Sequence, residues 1–312
     1  MSCRKTVLAF LAVLLLGFAG AAPAAEKTVG VVMSGDLARY QEAHRAFVTA
    51  LARAGFDQGR VSIYVQAPNP DPMSWTNSVR KFVGVEADVI VAYGAPAALA
   101  ALRETSTIPV VFTYVYDPQA CGVKKRNSTG VSSKVPMLTL LKTLKSITPY
   151  SRLAVLYNPD EKDSAVQLDE IKKNAPGLGY QVLELGVKSA KEAKAKLASS
   201  NGQDAVYISC SAAVDRDSAG VIDVADRKKI PAVAQVSGLA EKGALLALSP
   251  SASEQGELAA ALVARILKGE RPGDMAIETS KKVDLVLNLK VANALGLKVP
   301  FDVLNVATKV IK

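Results

Sequence analysis

His44 is the only histidine in the 312-residue chain, and that alone removes most hydrolytic and metal-dependent chemistry. Ser–His–Asp triads, two-histidine zinc sites and facial triads each need an imidazole at a set place. His44 falls inside an apolar-striped helical segment, where a packed structural ring is the expected role. Asp160 and Asp163 have the chemistry to hold a cation or an ammonium group, and equally to act as first-turn acids of a helix. Asp117 and Asp160 are the obvious acid/base candidates if the chain were an exported α/β enzyme. The usual nucleotide and nucleophile signatures are missing. Val32-Met33-Ser34-Gly35-Asp36 lacks the spaced glycines of a dinucleotide fingerprint, and there is neither a Gly-x-x-x-x-Gly-Lys phosphate loop nor a Gly-x-Ser-x-Gly elbow. No cofactor and no metal are expected.

The polar residues that remain cluster at the ends of strands: Ser34-Gly35, Gly94-Ala95, Tyr116-Asp117, Asn158, Ser209-Cys210-Ser211, Gln235 and Ser249. Turns favour such residues in any protein; as a set they are also the material of a binding site. Tyr93, Tyr114 and Tyr116 can supply stacking walls.

The elements that carry them alternate. Thr28–Met33 reads as a strand, the stripe Tyr40, Phe47, Leu51 and Ala54 as a helix stopped by Gly55, and Val61–Val65 as a strand. A helix near 74–83, strand 89–92, helix 97–103 and strand 109–113 follow. A second series starts at 152–157 and continues with a helix near 162–174, strand 180–185, helix 189–199, strand 204–209, helix near 212–228 and strand 231–235. The series echo each other: Ala87-Asp88-Val89-Ile90 against Gln203-Asp204-Ala205-Val206, and Ile108-Pro109-Val110-Val111 against Ile230-Pro231-Ala232-Val233. Strand 244–248, helix 254–268, strand 283–289 and a short helix at 291–295 exceed what one lobe needs, so the chain is expected to cross back. The fold class is α/β: two similar doubly wound parallel-sheet lobes joined by a multi-strand hinge. Lobe 1 is assigned 26–147 plus about 251–275, and lobe 2 148–250 plus about 276–312. Ligands of open α/β sheets bind beyond the carboxyl ends of the strands. Two facing edges therefore make one cleft, where helix N-termini suit a carboxylate.

Arg4 and Lys5, the apolar stretch 7–22 and Ala22-Pro23-Ala24-Ala25 form a secretory signal peptide over 1–25. No cysteine stands at the cleavage point, so the product is not a lipoprotein and is periplasmic. Cleavage takes the net charge from +9 to +7. Aromatics are not interleaved with the lysines, so no nucleic-acid partner is expected. Cys121 and Cys210 remain after cleavage. The expected fold puts them on different lobes, where a disulfide makes strict geometric demands.

The order of segments resembles the tryptophan/tyrosine-type substrate-binding proteins of ABC transporters, which have the type I periplasmic-binding-protein fold. The likeness is carried by Ala87–Ala92 running into Gly94-Ala95-Pro96, by Ile108–Phe112 with Asp117-Pro118, and by Thr129-Gly130-Val131-Ser132. It continues through Val155–Asn158, Ala205–Ile208, Lys229-Ile230-Pro231, Ile266–Glu270, Val286–Lys290 and Leu295-Gly296. The resemblance implies capture of a small molecule by hinge closure and delivery to an ABC permease in the inner membrane, by a monomer that performs no chemistry. It makes an aromatic amino acid the first ligand guess. It also implies cleft roles for Gly94, Ala95 and Asp117 in one lobe, and for Asn158 and Ser164 in the other. Two departures stand out: Ser209-Cys210-Ser211 replaces a Thr-Asp-Asn-like turn, and Ser249-Pro250 replaces an acidic position. Fewer acids suit an α-ammonium group less well, which leaves a related small polar or aromatic metabolite open. A ligand-sensing module for a membrane receptor is the alternative of the same fold.

Overall fold

A computed structural model describes residues 26–149, 151–236 and 238–312; the expected signal peptide lies outside the described residues. The first series forms β1 (Lys27–Met33), α1 (Ala38–Arg53), β2 (Val61–Gln66), α2 (Pro72–Gly84), β3 (Val89–Tyr93), α3 (Ala95–Glu104), β4 (Val110–Val115) and β5 (Ser128–Ser132). The second forms α4 (Met137–Ile147), β6 (Arg152–Tyr157), α5 (Lys162–Asn174), β7 (Gln181–Gly186), α6 (Ala190–Ser199), β8 (Ala205–Ile208), α7 (Ala212–Asp215), α8 (Ser218–Arg227), β9 (Ala232–Ala234) and β10 (Leu246–Pro250). The tail contributes α9 (Ala252–Leu267), β11 (Glu278–Thr279), β12 (Val283–Asn288), α10 (Leu289–Ala294), α11 (Phe301–Val306) and β13 (Lys309–Ile311).

These strands make two sheets. One has six strands in the order β11-β5-β4-β3-β1-β2, and the other seven in the order β13-β12-β10-β9-β8-β6-β7. Every pairing is parallel except β10 with β12, which runs antiparallel because the chain has crossed back before re-entering that sheet. Continuous apolar runs such as Val89–Tyr93 and Val110–Val115 are buried throughout, as strands covered by helices on both faces must be.

The echo between the series is structural. Asp88, just before β3, accepts from the Thr28 amide at 2.8 Å and from Lys27 Nζ at 2.8 Å at the start of β1. Asp204, just before β8, accepts from the Arg152 amide at 2.9 Å and from the Arg152 guanidinium at 3.0 Å at the start of β6. The two prolines match as well. Pro109 O accepts from the Ile90 amide at 2.9 Å and Pro231 O from the Val206 amide at 3.0 Å.

Two boundaries differ from the sequence reading. Helix α4 packs with the second lobe: Met137, Leu140, Leu141, Leu144 and Ile147 share a core with Leu153, Val155 and Leu246. Strand β11 pairs with β5 of the first sheet, so the return to the second lobe comes after Thr279. The single helix read over 212–228 is two helices, because the Asp217 carboxylate accepts from the Gly220 amide at 3.1 Å and starts α8 afresh.

Three strands of chain cross between the lobes: after β5, between β10 and α9, and between β11 and β12. Ser251 N donates to Lys282 O at 2.9 Å, tying the second crossing to the third. Gln255, in the first turn of α9 and wholly buried, ties in the first as well. Its Nε2 donates to Ser132 O and to Ser280 Oγ, each at 2.8 Å. Its Oε1 accepts from Thr113 Oγ1 at 2.9 Å and from the Tyr114 amide at 3.0 Å. Next to it, Gly256 lets α9 lie on α1; a Cβ there would come 2.0 Å from Ala43 O and 2.9 Å from Phe47 N.

Backbone cannot yield as a flexible side chain can, so Gly256→Ala is expected to cost about 1–3 kcal/mol by overpacking. At roughly 2–4 °C per kcal/mol for a chain of this size, the change should be plain in a thermal melt. An unchanged midpoint would mean that α1 and α9 are free to slide apart.

Candidate ligand-binding site

The carboxyl ends of both sheets face one another across a seam. Between them lies a small enclosed cavity of about 20 Å³, lined by Arg39, Tyr40, Tyr114 and Tyr116 from the first lobe and by Gln167, Cys210, Gln235 and Ser249 from the second, with Ser133 and Pro250 at the crossings. A larger hollow of about 540 Å³ lies at the opposite end of the first lobe, between Lys27, Asp88, Arg126 and Glu270. That hollow sits at the amino ends of the strands, where open α/β sheets do not place ligands.

Each wall of the seam cavity has a local cause. Tyr114 holds φ at +56°, a left-handed conformation that a bulky residue rarely adopts. It sits where the register between β4 and β5 shifts, between Phe112 and Val115, and Gln255 of the hinge accepts from its amide. The irregularity turns its ring out of the sheet to meet Tyr40 edge-on, with centroids 5.4 Å apart. Tyr116 is fixed at both ends: its amide donates to Asp163 Oδ1 at 2.7 Å, and its hydroxyl to Glu170 Oε2 at 2.9 Å. On the second lobe, Gln167 Oε1 accepts from the Cys210 amide at 2.9 Å. Its Nε2 donates to Gln235 Oε1 at 3.1 Å, which also accepts from the Tyr207 hydroxyl at 3.3 Å.

Charged groups span the seam between the lobes. Asp163 belongs to the first turn of α5 in the second lobe, yet its donors lie in the first. Its Oδ2 accepts from the Ala95 amide at 2.7 Å, at the N-terminus of α3, and its Oδ1 accepts from the Tyr116 amide. Cys121 Sγ donates to the same carboxylate at 3.4 Å. Burial pushes the Asp163 carboxyl up to about 6, and the two amide bonds oppose that shift. Arg39 pairs with Asp215, the last residue of α7, and both side chains are buried. Lys134 bridges Asp117 at 3.0 Å and Glu170 at 3.3 Å at the margin. Glu161 works within the second lobe, accepting from Ser211 Oγ and from the amides of Ala212 and Ala213 at 2.7–3.1 Å.

Of the residues nominated from sequence, Tyr114, Tyr116, Cys210, Gln235 and Ser249 meet at the cavity. The others stand behind it. Ser34 Oγ donates to Tyr93 O at 2.7 Å and accepts from the Ala97 amide at 3.1 Å, fastening β1, β3 and α3 together. The Tyr93 ring is buried in the core beside Tyr40 and His44. Gly94, at φ +86°, caps α3 where a Cβ would strike the Tyr40 hydroxyl at 2.6 Å. Ser164 Oγ accepts from the Asn158 amide and bonds to Ser209 Oγ, and Asn158 Nδ2 donates to Glu161 Oε1, holding the turn after β6. Ser211 caps α7 through the Val214 amide at 3.2 Å. Asp117 faces Lys134, and Asp160 pairs with exposed Lys188 at 2.8 Å, so the acid/base candidates of the enzyme reading are apart from the cavity. The helix N-termini expected to receive a ligand carboxylate are occupied by Asp163 and Glu161 instead. His44 stacks on Phe47, with centroids 5.8 Å apart, and burial lowers its pKa, as a packed ring requires. Cys121 and Cys210 are free thiols on opposite lobes.

Sequence reasoning missed Arg39, Tyr40, Ser133, Gln167 and Pro250. A signal existed for Arg39: it is a charged residue on the buried face of α1, beside Tyr40, Ala43, Phe47 and Leu51.

A family profile described as ABC transporter substrate binding protein matches residues 28–311. The chain belongs to this family. Members capture a small molecule outside the cytoplasm and pass it to an ABC permease. A protein of Clostridioides difficile named "Tyrosine-binding protein" is 27% identical over 282 residues, 88% of this chain and 82% of its own length. A Streptococcus pneumoniae ABC domain in complex with L-Trp shares the fold, with a TM-score of 0.88 over 92% of this chain and 100% of that one, at 23% identity. The ligand-free, open structure of a substrate-binding protein with adhesive properties from Clostridium difficile is 30% identical, with a TM-score of 0.68 over 92% of this chain and 99% of that one. In this structure bonds across the seam hold the two lobes in contact.

Opening the seam returns Asp163 to water and to the ordinary carboxylate range near 4. The closed form thus binds the proton more tightly, and closure takes up protons between about pH 4 and about pH 6. Calorimetry of ligand binding at pH 5, in two buffers of different ionisation enthalpy, is expected to show net proton uptake that Asp163→Asn removes; equal heats in both buffers would contradict it. Asparagine has one acceptor oxygen for two amides, so the same change should weaken binding by about tenfold.

Proposed function

We propose that the chain is the periplasmic receptor of an ABC importer for an aromatic amino acid, acting as a monomer whose two lobes close on the solute. The observation that carries the ligand class is the seam cavity itself, where Tyr40, Tyr114 and Tyr116 surround the one arginine that lines it. Aromatic walls bury an aromatic ring with favourable edge-to-face geometry, and a buried guanidinium matches a carboxylate. The relative named as a tyrosine-binding protein supports the same class.

The closed cavity of about 20 Å³ has room for roughly one water molecule. An aromatic solute therefore enters only when the lobes part, and the tyrosine rings settle around it as they return. Ligand binding and hinge motion are one event, with the differential contacts of the closed form supplying the bias. The short apolar leader and its Ala22-Pro23-Ala24-Ala25 end support export.

A thermal-shift screen of the mature chain tests this reading. At a hundredfold excess over Kd, a ligand stabilises by about 2.7 kcal/mol, or roughly 5–10 °C for a chain of this size. L-tyrosine, L-tryptophan or L-phenylalanine is expected to give that shift, and to be recovered unchanged; ribose and inositol are expected to give none. A sugar response without an aromatic one would overturn the assignment.

A further inference from the structure

Arg39 is the exception on its helix. The buried face of α1 is otherwise apolar apart from the Tyr40 hydroxyl, and a charge there needs a reason. Its guanidinium is 5% exposed and the Asp215 carboxylate 9%. The pair joins the first lobe to the end of α7 in the second. An ion pair taken out of water adds little net stability, because desolvation offsets the attraction. Its effect is to fix where positive and negative charge sit on the two faces of the seam.

The guanidinium also has donors to spare. Among the described residues it bonds to Asp215 and, at 3.3 Å, to the Tyr40 hydroxyl, with its centre 4.6 Å from the Tyr40 ring. An arginine carries five N–H donors in a planar fork. Competing sites for an anion are filled from within the protein: Asp163 takes the α3 amide, and Glu161 takes Ser211, Ala212 and Ala213. Lys134, at the margin of the seam, is 42% exposed and shared between Asp117 and Glu170.

We propose that Arg39 and Asp215 are the two halves of a zwitterion site, Arg39 receiving the α-carboxylate of an amino acid and Asp215 its α-ammonium. The proposal deepens the aromatic amino-acid reading and rests on it. A zwitterion exchanges one buried ion pair for two, and no net charge enters the seam. A decarboxylated amine instead leaves Arg39 buried without a counter-charge once Asp215 turns to the ammonium. A deaminated acid leaves Asp215 in the same position. In the absence of solute the two residues satisfy each other, so the lobes can meet without stranding a charge.

The test is binding of L-tyrosine, tyramine and 3-(4-hydroxyphenyl)propionate by titration calorimetry, to wild type and to Arg39→Gln, Arg39→Lys and Asp215→Asn. Wild type should prefer L-tyrosine to either analogue by at least about 100-fold, because each analogue strands a buried charge. Arg39→Gln should lower L-tyrosine affinity by at least about 30-fold while tyramine changes less than about threefold, and Arg39→Lys should restore part of the loss. Asp215→Asn should act in the mirror sense, sparing the propionate. Wild type carries the test even if a variant folds poorly. Equal binding of tyramine and L-tyrosine would overturn the zwitterion site while leaving the aromatic reading intact. Equal losses for all three ligands in Arg39→Gln would make Arg39 only a clasp between lobes. Failure of all three compounds, together with L-tryptophan and L-phenylalanine, would overturn both.

Discussion

A carboxylate removed from water has to be met by donors, and Asp163 finds its backbone donors only on the opposite lobe. Two amides at 2.7 Å, one at the start of α3 and one on Tyr116, receive it there. The same contact orders the site, because it fixes the Tyr116 backbone next to the cavity and seats α5 against α3. Parting the lobes breaks both bonds and gives the carboxylate back to solvent. In the described conformation this matched polar contact and the tyrosine walls occur together.

The hinge transmits that event without blurring it. Gln255 touches all three crossings and, through the Tyr114 amide, the bulge that aims a cavity wall. A single buried amide thus couples the crossing strands to the conformation of a residue held at positive φ. Strain of this kind persists only where neighbours over-determine it, and here the neighbours are the crossings between the lobes.

Much of this was legible in the sequence. Hydrophobic runs and glycine stops located β1 to β4 and β6 to β10, and the Asp88/Asp204 echo marks a matching role in each lobe. Helix α4 is hard to read from sequence although Met137, Leu140, Leu141, Leu144 and Ile147 have helical spacing, because it begins after Pro136 with no side-chain cap to announce it. The lobe boundaries followed from that omission and from β11, whose two residues carry too little pattern to read. The lining of the seam cavity was half legible. Strand-end residues can be found from topology, and they gave Tyr114, Tyr116, Cys210, Gln235 and Ser249. Pairings across the seam cannot be found that way, since Asp163 with Ala95 and Arg39 with Asp215 depend on the relative placement of two lobes. Hence the sequence leaves the α3 terminus open to a ligand, whereas in this structure Asp163 of the other lobe accepts from its amide.

In the proposed function the lobes move on a hinge and an aromatic amino acid sets their position. Small-angle scattering of the mature chain with and without saturating L-tyrosine measures this directly. The radius of gyration is expected to fall on addition of the amino acid. An unchanged radius alongside a measurable heat of binding would contradict it, because the solute would then be bound without closing anything.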